Sequence, residues 1–112
     1  MARQLEPTAT PVACTLSSAD LDTQRKRWRR LAAKALVERT ESGDGLRISF
    51  RAEPGVANEL QELAAIERQC CAWATWTVHE SERRITLVVR STGEGIAALH
   101  AMFTSLEPAP VV

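Results

Sequence analysis

The sequence predicts an α+β fold of the ferredoxin-like type, a two-layer sandwich of three helices packed on a mostly antiparallel four-stranded sheet. Two observations support this. Apolar residues recur at helical spacing in three segments, and apolar and polar residues alternate at period two in three others. The last two alternating segments follow each other closely enough to form a hairpin. The predicted order is β-α-β-α-β-β-α, in which an N-terminal strand completes the sheet.

The N-terminal part is predicted to supply one strand and one helix. Residues 12–16 are expected to form the short first strand. Residues 17–20, Ser-Ser-Ala-Asp, resemble a capping box, in which a hydroxyl side chain and a later acid satisfy the free amides of a helix start. A helix is therefore predicted from about residue 19 to residue 41. Its apolar stripe consists of Leu21, Trp28, Leu31, Ala35 and Leu36.

The middle of the chain is predicted to form a strand and a second helix. Gly43 and Gly45 are expected to end the first helix. Residues 46–51 alternate apolar and polar side chains, which indicates a strand with one buried face. Pro54 suits the first turn of a helix, where its missing amide hydrogen removes no bond. The second helix is predicted from about residue 55 to residue 72.

The C-terminal part is predicted to contain a hairpin and a third helix. Residues 75–81 and 84–91 are expected to form its two strands, with Trp76 among the inward-facing residues. A last helix is predicted from about residue 93 to residue 106. With these elements the sequence accounts for all three helices and four strands of the predicted sandwich.

The composition argues against several functional classes. The 112 residues include 14 basic and 14 acidic ones, so no net charge attracts the protein to nucleic acid or to an anionic membrane. No apolar run reaches the roughly 18 residues of a membrane span, and the N-terminus lacks the apolar stretch of a signal peptide, so we expect a cytoplasmic protein.

We expect one domain over residues 11–107, a flexible leader at residues 1–10 and a flexible tail at residues 108–112. The oligomeric state stays open, with a homodimer as one option.

The chemically distinctive feature of the sequence is an acid beside two adjacent thiols. Glu67, Cys70 and Cys71 share one arc of the predicted second helix with its apolar residues. Burying a carboxylate in an apolar stripe is costly unless it is paired, protonated or bound to a cation, so the adjacent thiols, a hydroxyl or a metal ion must meet it. Adjacent residues of a regular helix diverge by about 100°, so both thiols can reach one ion only if the last turn unwinds.

A third thiol is expected to join this pair. The predicted N-terminal strand would bring Cys14 toward the helix that carries Cys70 and Cys71. Thiolates bind soft ions, so three sulfurs would hold Hg(II), As(III) or Cu(I) and, with one further ligand, Zn(II). Glu67 would supply an oxygen ligand or accept thiol protons, and His100 is a candidate further ligand. The predicted partner is therefore a soft metal or metalloid ion.

Two other interpretations stay open. One is a thiol enzyme in which Glu67 acts as a base and a cysteine attacks a peroxide, disulfide or organometal bond, with no catalytic residue assigned. The other is a structural or protein-interaction module, because cysteine often packs as a small buried hydrophobe. The basic run of residues 25–30 is interpreted as a solvated helix face rather than a nucleic-acid site, because Trp28 belongs to the apolar stripe.

Three stretches of the chain are similar to other proteins: residues 13–16 (Ala-Cys-Thr-Leu), residues 47–50 (Arg-Ile-Ser-Phe) and residues 67–76 (Glu-Arg-Gln-Cys-Cys-Ala-Trp-Ala-Thr-Trp). They resemble a group of small, uncharacterised bacterial proteins with an A-C-x-L motif near the start and an E-x-x-C-C-x-aromatic-x-x-aromatic motif later. The resemblance spans residues 12–106. The group is loosely associated with heavy-metal resistance contexts, which implies that the three cysteines and Glu67 act as a unit.

Overall fold

A computed structural model of the chain describes residues 15–106. Its elements follow the order α-β-β-α-β-β-α. The helices are α1 (Ser18–Ala35), α2 (Val56–Cys70) and α3 (Glu94–Phe103). The strands are β1 (Leu36–Ser42), β2 (Gly45–Arg51), β3 (Thr75–Glu80) and β4 (Arg84–Arg90). None of these helices is long and apolar enough to cross a membrane.

The four strands form one antiparallel sheet in the order β1-β2-β4-β3. Two hairpins, β1-β2 and β3-β4, meet along the central pair of β2 and β4, where Ile48 lies opposite Leu87. The predicted fold class is therefore confirmed as an α+β sandwich of three helices and a four-stranded antiparallel sheet. Each hairpin follows a helix, so the same α-β-β unit occurs twice before α3 completes the helical layer.

The hydrophobic core lies between the helices and the sheet. Phe50 and Leu87 contribute from the central strands, Leu60 and Leu63 from α2, and Leu99 from α3, and all five side chains are fully buried. Burying a side chain of this size stabilises the fold by about 1.5 to 3 kcal/mol. The alternation of buried and exposed residues along β4 confirms that this strand has one face in the core.

The first helix is shorter than predicted, and the order of elements differs as a result. The helix predicted to reach residue 41 ends at Ala35, and the chain continues directly as strand β1. This strand contains the β-branched residues Val37 and Thr40, which favour an extended backbone, and it pairs with β2 along its length. The hydrogen bonds to β2 outweigh a helical pattern that the sequence alone made plausible.

The fourth strand of the sheet is therefore β1 and not the predicted N-terminal strand. Within residues 12–16, the structure describes Thr15 and Leu16, which belong to no strand, and the others lie outside the described residues. Gly43 forms the turn between β1 and β2, and Gly45 begins β2, so neither glycine ends a helix as predicted.

Gly45 accepts no side chain, because β2 and β4 approach closely there. A methyl group on Gly45 would overlap the carbonyl oxygen of Val89, a backbone atom that moves only if the strand shifts. We expect Gly45→Ala to lower the free energy of unfolding by about 3 kcal/mol, at the upper end of overpacking costs. Gly43→Ala is the matched control, since nothing lies within 4 Å of its added methyl. Equal stability of the two variants in urea denaturation would contradict the prediction.

An ion pair holds α1 against α2. Arg27 donates to Glu59 through Nε at 3.1 Å and through Nη2 at 2.9 Å. This hydrogen bonding lowers the pKa of Glu59 below its usual 4.5, although burial opposes the shift. A carboxyl group whose pKa is lower in the folded state stabilises the protein above its unfolded pKa and loses that effect as the pH falls through the folded pKa.

We expect Glu59→Gln to destabilise the protein by less than about 1 kcal/mol at pH 7, because the pair is partly exposed. The difference from the unaltered protein should shrink toward zero as the pH falls below 4.5 and through the lowered pKa of Glu59. Urea denaturation across this pH range measures it. Glu82→Gln, which changes an exposed acid after β3, is the control. A difference for Glu59→Gln that stays constant with pH would contradict the assigned role.

Candidate metal centre

The last turn of α2 carries the acid and the two thiols. The helix ends at Cys70, and Cys71 adopts φ −126° and ψ 58°, outside the helical region. The indole N–H of Trp76 donates to the carbonyl of Cys71 at 3.1 Å and holds this end of the helix. The backbone N–H of Thr15 donates to the carbonyl of Cys70 at 3.2 Å. The unwinding that two adjacent thiols need in order to converge is therefore present one residue before the predicted end of the helix.

Both thiols converge on one oxygen of Glu67. The Sγ atoms of Cys70 and Cys71 lie 3.6 Å apart. Cys70 donates to Glu67 Oε1 at 3.7 Å, and Cys71 donates to the same oxygen at 3.5 Å. All three residues are buried, with Glu67 only 3% exposed. They form a buried group whose ligand atoms lie within 4.8 Å of one another, which is the arrangement of a candidate metal site.

The other oxygen of Glu67 is held by α1. Trp28 donates its indole N–H to Oε2 at 2.8 Å, and Gln24 donates its Nε2 to the same atom at 3.0 Å. The carboxylate thus receives four donors, two on each oxygen, which matches the acceptor capacity of an ionised carboxylate. Because Oε2 is fixed by α1, Oε1 is directed at the sulfurs.

Trp28 and Gln24 belong to the candidate site, and the sequence pattern does not identify them as such. The pattern places Trp28 in the apolar stripe of the first helix and gives Gln24 no role. A signal was present, since the two lie four residues apart and so share one face of α1. A glutamine on an apolar face needs a polar partner when it is buried, as Gln24 is here at 4% exposure.

The structure does not bring His100 into this group. His100 Nε2 lies 2.8 Å from the carbonyl oxygen of Gly45 and 3.2 Å from that of Ser42, and its Nδ1 lies 3.7 Å from Glu41. These contacts place the ring against the β1-β2 hairpin. Cys14 lies outside the described residues.

A cleft of about 410 Å³ leads from the surface to this group. Glu67 and Cys71 line it, and its side walls come from α1 and α3. Arg25 and Arg29, which are exposed on α1, also line it. Two arginines of the basic run are therefore exposed, as the interpretation of a solvated helix face predicts, and they also border the cleft.

The separation of the two sulfurs limits which ions fit between them. With metal–sulfur bonds of about 2.3 Å, two sulfurs lie about 3.8 Å apart around a tetrahedral ion and about 4.6 Å apart around a linear one. The 3.6 Å between Cys70 and Cys71 is close to the first value. A tetrahedral or pyramidal ion therefore matches this separation, whereas a linear two-coordinate ion would require the sulfurs to separate by about 1 Å.

The chain was compared with protein-family models, with curated proteins and with solved structures. None of the three comparisons gave a match. The resemblance to small bacterial proteins with an E-x-x-C-C motif therefore stays a prediction. What the structure itself establishes is a buried carboxylate beside two thiols, with Glu67 and Cys71 also lining a cleft.

Proposed function

We propose that this protein binds a soft metal or metalloid ion through the thiolates of Cys70 and Cys71, beside the carboxylate of Glu67. One observation carries the proposal: a single carboxylate oxygen lies within 3.7 Å of two sulfurs that are themselves 3.6 Å apart. An ion that enters this group replaces the two thiol protons. As(III) and Zn(II) are the best candidates because their coordination angles match the separation of the sulfurs.

The electrostatics of the site favour the binding of a cation over the activation of a thiol as a nucleophile. Cys70 ends α2, and the C-terminal end of a helix carries a partial negative charge that attracts cations. Reactive cysteines in enzymes are instead found at helix N-termini or beside basic groups. Among the residues that the structure describes, the acid Glu67 contacts both sulfurs. Ion binding therefore agrees better with the site than thiol catalysis does.

Cys14 is the proposed third sulfur ligand. It precedes Thr15, whose backbone amide is hydrogen-bonded to the carbonyl of Cys70. This hydrogen bond places Thr15 beside the end of α2 that carries the two thiols. Three thiolates would neutralise As(III), and an uncharged complex suits a buried site. The proposal agrees with the heavy-metal resistance contexts that the resemblance implies. It also agrees with the expected cytoplasmic location, because thiols stay reduced in the cytoplasm.

The test is titration of the reduced full-length protein with arsenite, Zn(II), Cu(I) and Hg(II) under anaerobic conditions. We expect one ion per chain, with arsenite or Zn(II) bound more tightly than by a small dithiol. Cys70→Ser and Cys71→Ser should each weaken binding at least 100-fold, and Cys14→Ser should weaken arsenite binding. Glu62→Gln changes an exposed acid on α2 and should leave binding unchanged.

Two results would reject ion binding in favour of the other interpretations. If none of the four ions binds stoichiometrically while the cysteines resist alkylation in the folded state, the thiols are structural. If no ion binds but either cysteine is alkylated much faster than a small thiol, a thiol enzyme is the better interpretation. Circular dichroism of each serine variant checks that lost binding does not reflect unfolding.

A further inference from the structure

The cleft beside the thiols is larger than an ion needs. Its volume of about 410 Å³ compares with about 30 Å³ for the share of one water molecule in the liquid. Cys71 and Glu67 line it, together with the aromatic side chains of Trp28, Trp73 and Phe103. Met102, a large apolar side chain that is 38% exposed, also lines the cleft. A cleft that places aromatic side chains and one thiol of the pair on the same wall is suited to an ion that carries an organic group.

We propose that the centre takes mono-organic trivalent arsenicals, R–As(III), with an aromatic R group in the cleft. This inference rests on the proposed function and specifies the ligand of the same site. Trivalent arsenic makes three bonds in a pyramid, and Cys70 and Cys71, with sulfurs 3.6 Å apart, supply two of them. The third bond is to the carbon of R. Because Cys71 lines the cleft, R lies among the aromatic residues that line it too.

The binding step is a ligand exchange without electron transfer. An arsenical R–As(OH)₂ reacts with the two thiols, two As–O bonds break and two As–S bonds form. The two thiol protons leave with the two hydroxyl groups as two molecules of water. Glu67 Oε1, which accepts hydrogen bonds from both thiols, is placed to receive each proton before it reaches the departing hydroxyl.

The two arginines that line the cleft extend the inference to the substituent on R. Arg25 and Arg29 lie four residues apart on α1, so their side chains project from the same face of the helix. A guanidinium binds a carboxylate with two parallel hydrogen bonds. An aromatic arsenical that carries a carboxylate should therefore bind more tightly than one without it.

The experiment compares phenylarsine oxide with arsenite on the reduced full-length protein. Ala101, which is exposed on α3 and lines the cleft, is changed to leucine, and Ala97→Leu on the same helix outside the cleft lining is the matched control. We expect Ala101→Leu to weaken the binding of phenylarsine oxide at least tenfold and to change the affinity for arsenite less than twofold. Ala97→Leu should change neither affinity. Cys14→Ser should weaken the binding of arsenite but not that of phenylarsine oxide, because the R group already occupies the third bond of the arsenic.

A second arm uses 4-carboxyphenylarsine oxide. The double variant Arg25→Gln, Arg29→Gln should lower the affinity for 4-carboxyphenylarsine oxide at least fivefold and leave the affinity for phenylarsine oxide unchanged. Arg30→Gln is the control from the same basic run. If phenylarsine oxide binds equally well to the unaltered protein and to Ala101→Leu, the cleft is not the site of R, and the ion site stands alone. If phenylarsine oxide does not bind while arsenite or Zn(II) does, this inference alone is overturned. If neither phenylarsine oxide nor any of the four ions binds, both proposals are overturned. Circular dichroism and urea denaturation of Ala101→Leu separate a blocked cleft from an unfolded chain.

Discussion

Glu67→Ala should lower the free energy of unfolding by about 3 to 5 kcal/mol, the largest loss of stability that we expect from a single change in the site. Removal of the carboxylate leaves the indole N–H of Trp28 buried without its acceptor and removes one of the two acceptors of the Gln24 amide, which also donates to the carbonyl of Leu63. Each unsatisfied buried donor costs about 1 to 3 kcal/mol, and the lost side-chain volume leaves a cavity in addition.

Glu67→Gln separates hydrogen bonding from charge in the same position. Its amide oxygen can still accept from Trp28 and Gln24, and its amide hydrogens then face the two sulfurs, which are weak acceptors. We expect Glu67→Gln to lower the free energy of unfolding by less than about 1.5 kcal/mol. Urea denaturation at pH 7 in the presence of a reductant measures both variants. Gln69→Ala, an exposed change on the same helix, is the control for helix propensity. Equal stability of Glu67→Ala and the unaltered protein would show that the four hydrogen bonds contribute nothing.

Trp28→Phe should weaken ion binding by about 10-fold to 100-fold and leave the stoichiometry unchanged. The indole N–H bonds Glu67 Oε2 at 2.8 Å and so keeps Oε1 directed at the sulfurs. Phenylalanine keeps an aromatic ring at this position but lacks the donor. Residues that orient a ligand without touching the ion typically contribute this much to affinity. Isothermal titration with arsenite and Zn(II) gives both affinity and stoichiometry.

Phe103→Leu is the comparison that isolates the hydrogen bond of Trp28 from its packing. The rings of Trp28 and Phe103 meet edge to face, with centroids 5.1 Å apart and an angle of 88° between planes. Leucine at position 103 removes this contact but leaves the indole donor in place. We expect Phe103→Leu to reduce stability with less than threefold effect on ion affinity. If the two variants weaken binding equally, Trp28 acts through packing and not through Glu67.

Part of the fold could be predicted because its signals are local. The strand β2, the hairpin of β3 and β4, and both later helices follow periodic patterns and turn residues within a few positions of where the structure has them. The segment that became β1 could not be predicted in this way. Its apolar residues continue a helical stripe, and only pairing with β2, an interaction between distant parts of the fold, determines that it is extended.

The part of the candidate site that lies within one helix could likewise be predicted, and the part contributed by distant residues could not. Glu67, Cys70 and Cys71 lie within five residues, so helical periodicity was sufficient to place them on one side of α2. The donors Gln24 and Trp28 are about 40 positions away in the sequence, and no local pattern links them to Glu67. The residue type of His100 and its position beside the apolar stripe of the last helix predict a ligand, but the structure places its ring against the β1-β2 hairpin.

The sequence by itself determined that one helix brings a carboxylate and two thiols to the same buried side, because side-chain direction along a helix follows from residue spacing. Only the tertiary structure decided that the helix ends at Cys70, so that the backbone at Cys71 turns and the sulfurs converge. It also decided that α1 fixes one oxygen of Glu67 and leaves the other for the thiols. These features depend on contacts between segments that are far apart in the chain, which local patterns do not specify.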